Sequence, residues 1–187
     1  VASGELYVPS FIEKHLEVFP EGQFCAEIEG QIVGSATNLI VSLEPEYRKH
    51  SWYDIVGYGN KTGYDPKGDS LYADDILSHP SYRRQGVGTA LMKARKQICS
   101  KVGLRRIIGG GRLYNYCLYA DQMSPHKYAE QVVNKNLVDP VLTFQLRNDF
   151  KYIKILPNYL PDSRSLNFAS FIEWTNLFDL KMVRGEI

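Results

Sequence analysis

Residues 79–99 read HPSYRRQGVGTALMKARKQIC, and the run from Arg83 to Gly88 decides how the rest is read. Gly86 and Gly88 stand at the start of an amphipathic repeat. Glycine is permissive in backbone conformation and poor inside a helix, so a pair at a helix start points to backbone brought close to a ligand. Amide groups at a helix N-terminus, backed by the helix dipole, form an anion site. Arg83 and Arg84 add side-chain donors. The local reading is a phosphate cradle.

Two familiar phosphate loops do not fit. A nucleotide P-loop ends in glycine–lysine–serine/threonine, whereas Gly88 is followed by Thr89 and Ala90. A dinucleotide fingerprint needs a third glycine where Leu91 stands.

Outward from the loop, LYADDILS (residues 71–78) reads as a strand. Val87, Ala90, Leu91, Ala94, Ile98 and Val102 mark one face of a helix that Gly103 closes, and LRRIIGGG (residues 104–111) reads as a second strand. Strand, turn, helix and strand make a βαβ unit with a parallel pair. Upstream, PSFIEKHLEVFP (residues 9–20) predicts a short amphipathic helix. Residues 23–43 then predict a hairpin turning at Glu29–Gly30. Residues 44–70 are rich in Tyr, Gly, Asp and Asn, an irregular connection of functional length. Downstream, Ser124–Pro125 and Asp139–Pro140 each begin a helix with a capping residue before proline. Residues 150–156 and 165–174 read as closing strands.

The 187 residues suit a single domain, 1–187, with 44% hydrophobic and 23% charged residues. A net charge of +1 gives no case for a nucleic-acid or anionic-membrane partner, although Arg83, Arg84, Lys93, Arg95 and Lys96 predict a local basic face. No apolar run is long enough to span a bilayer. Cys25, Cys99 and Cys117 are odd in number and widely spaced, which favours reduced thiols, a cytoplasmic setting and no metal site.

A strand leading into HPSYRRQGVGTALM resembles the acyl-CoA motif of the GNAT superfamily of N-acyltransferases, Arg/Gln-x-x-Gly-x-Gly/Ala, met here by Arg83, Gly86 and Gly88 with Pro80 and Tyr82 ahead of them. The segments HLEVFPEGQFCAEIEGQIVGS, GGRLYNY and DPVLTFQLRNDF also look like the acetyltransferase half of acetyltransferase–nitrilase fusions. The chain ends soon after Trp174, so the expectation is of that half alone. The resemblance implies an α/β fold: a mixed, mostly antiparallel sheet with a central splayed parallel βαβ core and flanking helices. The family's first strand is not evident before Pro9, which leads us to expect missing upstream residues.

The resemblance also implies an N-acetyltransferase, moving an acetyl group from acetyl-CoA to a small-molecule or peptide amine by direct transfer in a ternary complex, as a monomer or homodimer. The alternative is a non-catalytic acyl-CoA sensor or protein-interaction module. Ile76, Leu77, Ser78, Arg83, Arg84, Gln85, Gly86, Val87, Gly88, Thr89 and Asn115 would hold the cofactor. An amine with an ordinary pKa near ~10 needs a base at neutral pH, and Asp74 and Asp75, expected on opposite faces of their strand, are candidates. The usual tyrosine acid is absent from its family position, where Gln145 stands, leaving Tyr116 and Tyr119 as substitutes. His79 reads as structural and Cys117 as a buried, inert thiol. Trp52, Tyr53, Tyr58, Gly110 and Arg112 are the expected acceptor contacts. In the connection, aromatics interleaved with Asp54, Asp65 and Asp69 suit a cationic amine.

Overall fold

A computed structural model describes residues 9–57 and 63–177. The family's first strand, expected before Pro9, and Tyr58 lie outside the described residues.

The Pro9–Pro20 pattern forms α1 (Pro9–Val18). The hairpin is β1 (Phe24–Ile28) and β2 (Gln31–Val41). Its two-residue turn has φ 51° at Glu29 and 78° at Gly30, the left-handed pair that such a turn requires. The connection that follows is not wholly irregular. It contains a short helix, α2 (Trp52–Val56), started by a reciprocal capping box between Ser51 and Asp54.

The strand ahead of the glycine loop is β3 (Ser70–Ser78), the helix after it α3 (Val87–Lys101), and the returning strand β4 (Arg106–Arg112). Two helices follow, α4 (Pro125–Val133) and α5 (Pro140–Arg147). Ser124 caps α4 through the Lys127 amide, and Asp139 caps α5 through the amides of Val141 and Leu142. β5 (Lys151–Leu156) and β6 (Ala169–Thr175) close the sheet. β6 begins four residues later than its alternating pattern predicts. Leu166 and Asn167 adopt φ of 49° and 66°, which a strand does not allow, and Asp162 accepts the Ser165 amide to fold this segment into a turn.

The six strands run in the order β1-β2-β3-β4-β6-β5, all antiparallel except β3 beside β4. That parallel ladder is short, from Ser70 opposite Arg106 to Tyr72 opposite Ile108. Beyond it β3 and β4 part, while β4 stays paired with β6 as far as Arg112.

Alternation sends neighbouring residues to two cores. Leu71, Ile107 and Ile172 pack with Met92 and Ile98 of α3, Tyr128 of α4 and Leu142 of α5. Tyr72, Ile108 and Phe171 pack with Leu39, Val41, Ile55 of α2 and Tyr159 on the other face. On α3 the buried stripe is Val87, Leu91, Met92, Arg95, Ile98 and Cys99. Arg95 therefore leaves the expected basic face: the spacing Leu91–Arg95–Ile98 puts it against the sheet. Among the described residues no helix is long and apolar enough to cross a membrane.

Candidate active site

The loop ahead of α3 is built locally. His79 accepts the Ser81 amide at 3.3 Å, and Gln85 Nε2 donates to the Ser81 carbonyl at 3.0 Å. Arg84 and Gly86 both take positive φ, 61° and 87°, with Gly86 as the residue capping α3. The first helical bond runs from the Ala90 amide to the Gly86 carbonyl at 2.9 Å. The amides of Val87, Gly88 and Thr89 thus have no partner within the helix and point out of its N-terminus. Arg83, Arg84, Gln85 and Thr89 are exposed around them. A Cβ on Gly88 would sit 3.0 Å from the Phe144 ring, so glycine lets α3 lie close to α5. Ile76, Leu77 and Ser78 lead into this loop along β3, opposite Ala36, Ser35 and Gly34.

The two aspartates do not lie on opposite faces. Thr37 pairs with Asp75 and Asn38 with Ala73, so Asp74 is an extra residue in β3, a β-bulge. Ala73 and Ile76, three apart, consequently pack on the same core. Asp74 and Asp75 together take the place of one residue on the Tyr159 side of the sheet. The Asp74 side chain is sealed, at 0% exposure. It accepts from Trp52 Nε1 at 2.6 Å and Thr37 Oγ1 at 3.0 Å, and lies 3.8 Å from His15 Nδ1. Burial, then the neighbouring Asp75 charge, pushes its pKa up to about 7. Burial also raises Asp75, which is half-buried. His15 is driven the other way, down to about 4, by burial.

Arg95 reaches the same bulge from α3. Its guanidinium donates to Asn38 Oδ1 at 2.7 Å, to the Thr37 carbonyl at 3.2 Å and to the Asp75 carbonyl.

The expected acceptor residues meet different fates. Trp52 and Tyr53 are half-buried and packed edge to face, with ring centroids 5.1 Å apart. The connection's carboxylates are engaged in structure: Asp54 in the capping box, Asp65 with Ser42 and the Lys67 amide, Asp69 with Arg105. Arg112 pairs with Asp162 at 3.1 Å. The Tyr159 ring occupies the space where a Gly110 side chain would stand. Tyr159 in turn shares a hydrogen bond of 2.9 Å with Tyr72, whose hydroxyl meets His50 Nε2 at 3.1 Å.

Tyr116 and Tyr119 belong to a different neighbourhood. Tyr116 is buried, donates to the Met123 carbonyl at 3.2 Å and packs edge-on to Phe168; Tyr119 lies against Tyr128. Asn115 is held by its amide on Asp139 at 3.1 Å, and Cys117, expected to be buried, is exposed on the short turn that follows. Sequence reasoning missed His15, Thr37, Arg95 and Tyr159. Only Arg95 carried a signal, a cation at apolar spacing.

Residues 3–115 match the model of the acetyltransferase (GNAT) family. The chain belongs to that family. It is 44% identical over 164 residues to the probable hydrolase YhcX of Bacillus subtilis, covering 87% of this chain and 32% of that protein. It is 40% identical over 167 residues to the uncharacterized N-acetyltransferase YkwB of the same organism, covering 89% of this chain and 74% of the other. The chain thus spans about a third of the length of the first of these relatives. The fold is shared with the loading GNATL domain of CurA from Lyngbya majuscula, with a TM-score of 0.80 and 23% identity over 94% of this chain and 87% of the other. A GNAT-like decarboxylase, GphF, solved with isobutyryl-CoA, shares it at a TM-score of 0.71, with 19% identity over 88% of this chain and 83% of the other.

Proposed function

We propose that this chain is an N-acetyltransferase that moves an acetyl group from acetyl-CoA to a small-molecule or peptide amine by direct transfer in a ternary complex. One observation carries the reading: the strand that ends at the amide loop also holds an acid pair, Asp74 sealed and Asp75 half-buried, where β3 leaves β4. The pyrophosphate would rest on the amides from Gln85 to Thr89 with Arg83 and Arg84 beside it. Its arm would run past Ile76, Leu77 and Ser78, bringing the thioester to the bulge.

There the amine nitrogen attacks the thioester carbonyl, forming C–N as C–S breaks. Asp75, the more exposed of the pair, takes the amine proton directly or through water. A carboxyl held above its ordinary range is better matched to that work at neutral pH than a free one. The thiolate leaves and takes a proton from water. An ordinary thiol pKa of about 8.5 makes it a good leaving group without an obligatory acid. Trp52 and Tyr53 would flank the acceptor. Asn115 and Arg112 are further proposed contacts, to the CoA arm and the acceptor respectively.

A second reading, an acyl-CoA sensor without turnover, draws support from the complete seal over the Asp74 side chain. The likeness to acetyltransferase–nitrilase fusions also belongs to this proposal. It is supported by the relative named a probable hydrolase, which is about three times as long as the stretch matched.

Calorimetry with acetyl-CoA and CoA release across spermidine, lysine, kanamycin and an alanyl peptide test the proposal. Binding that is lost in Gly88→Glu, with release on at least one amine, is expected. Binding without release on any amine selects the sensor. Unchanged affinity in Gly88→Glu overturns the cradle.

A further inference from the structure

A β-bulge pushes backbone carbonyls out of the ladder, and inside a protein each needs a donor. At the bulge of β3 that donor is a charged side chain. Arg95 is 1% exposed, and its guanidinium reaches the carbonyls of Thr37 and Asp75 on the two strands that frame the bulge. It also holds Asn38, the residue on the far side of the register slip. Asn38 Nδ2 in turn donates to the Gly22 carbonyl at 2.5 Å, so the clamp continues to the chain ahead of β1.

An arginine suits this place because its planar fork presents several donors in fixed directions, whereas an ammonium is a single point charge. Burying a guanidinium is unfavourable unless every acceptor around it contributes. Arg95 sits eight residues after Val87, about 12 Å along α3 from the proposed phosphate cradle. One rigid helix therefore carries the anion site at its end and the bulge clamp in its middle.

We propose that Arg95 is a positioning residue, whose guanidinium clamps the β3 bulge and so sets the placement and acidity of the Asp74–Asp75 pair. The inference rests on the reading of that pair as the acid–base centre. The groups facing the pair are His15 from α1, Tyr72 on β3 itself, Arg95 from α3, Arg112 from β4 and Tyr159 from the β5–β6 turn. Of these, Arg95 is the cation that lowers both carboxyls. His15, its pKa lowered to about 4 by burial, is neutral and supplies no charge at neutral pH.

The test is a carbon-13 titration of aspartate carboxyls in the full chain, with signals assigned through Asp74→Asn and Asp75→Asn. Arg95→Met keeps length and helix preference but removes the charge. It should raise the midpoint of at least one carboxyl of the pair by about one unit, a tenfold change in acid dissociation constant. Arg95→Lys keeps the cation and loses the fork. It should hold the midpoints near wild type while amide exchange at Asp75 and Ile76 speeds up at least tenfold relative to Cys25 in β1.

Midpoints unmoved in folded Arg95→Met overturn the proposal, as does Arg95→Lys with wild-type exchange at the bulge. If Arg95→Met does not fold, Arg95→Lys decides alone through exchange. The acid–base reading fails separately. If both asparagine variants release CoA at the wild-type rate on the responding amine while the midpoints still move in Arg95→Met, that reading falls and the clamp stands.

Discussion

The Trp52 indole donates to the buried Asp74 carboxyl at 2.6 Å, and the Trp52 amide donates to the Tyr159 carbonyl at 2.8 Å. This one residue fastens α2, and with it the long connection, to the bulge of β3. Trp52→Phe leaves Asp74 with one donor fewer in a sealed site. A stability loss of about 1–3 kcal/mol is expected by urea denaturation. Because that bond favours the charged form, the Asp74 midpoint should also rise. If Trp52 flanks the acceptor, the amine KM increases several-fold while the acetyl-CoA KM holds. An unchanged amine KM in a folded variant removes Trp52 from the acceptor site.

Asp74 and His15 should give pH dependences of opposite sign. Asp74 moves from 3.8 in its ordinary state to about 7 in the fold, so between these values the native state binds more protons than the unfolded. Its contribution is full below pH 4 and is lost as pH rises through 7. His15 moves from 6.5 down to about 4, so there the unfolded state binds more protons and stability rises with pH. Relative to wild type, Asp74→Asn should gain stability from pH 4 to 7, and His15→Gln should lose it from pH 4 to 6.5. Each change is on the order of 2–3 kcal/mol. Denaturant midpoints across this range check it; two difference curves of the same sign would reject the opposed shifts of Asp74 and His15.

Asp75→Asn is expected to lower kcat by about 100-fold at pH 7 and to leave acetyl-CoA affinity within about twofold. The deficit should narrow above pH 9, where the amine loses its own proton. Wild-type rates at pH 7 in both Asp75→Asn and Asp74→Asn would remove the pair from the chemistry.

Gly110→Ala drives a methyl group into the Tyr159 ring, which is buried and hydrogen-bonded to Tyr72. A loss of about 1–3 kcal/mol follows from overpacking a closed site. Adding Tyr159→Leu should recover part of it, a coupling that a double-mutant cycle measures. Strictly additive losses would show that the strain is taken up elsewhere.

Features decided within a few residues could be read directly. The Glu29–Gly30 turn, the Ser124 and Asp139 caps, the Gly86 helix start and the βαβ order all rest on local backbone preference. For the turn and the caps the bonded partners lie within about four positions, and the βαβ order follows from the succession of such locally set elements along the chain. The motif from Arg83 to Gly88 belongs to the same class, because a helix N-terminus carries its unpaired amides with it wherever it packs.

The acid pair shows where that reading stopped. Alternation puts Asp74 and Asp75 on opposite faces of any regular strand. Their shared face comes from a register slip against Thr37 and Asn38, more than thirty residues away, held by Arg95 on a third element. Likewise the turn at Leu166–Asn167 overrode a clean strand pattern, and Tyr159 took the space above Gly110 from a loop whose local sequence gave no sign of it. Local sequence determined the glycine loop, the start of α3 and the order of the elements, because short-range hydrogen bonds and φ preferences suffice for them. Tertiary structure decided which carboxyl is sealed, which is reachable and how each titrates, because burial and bulge registry exist only once distant strands and helices have met.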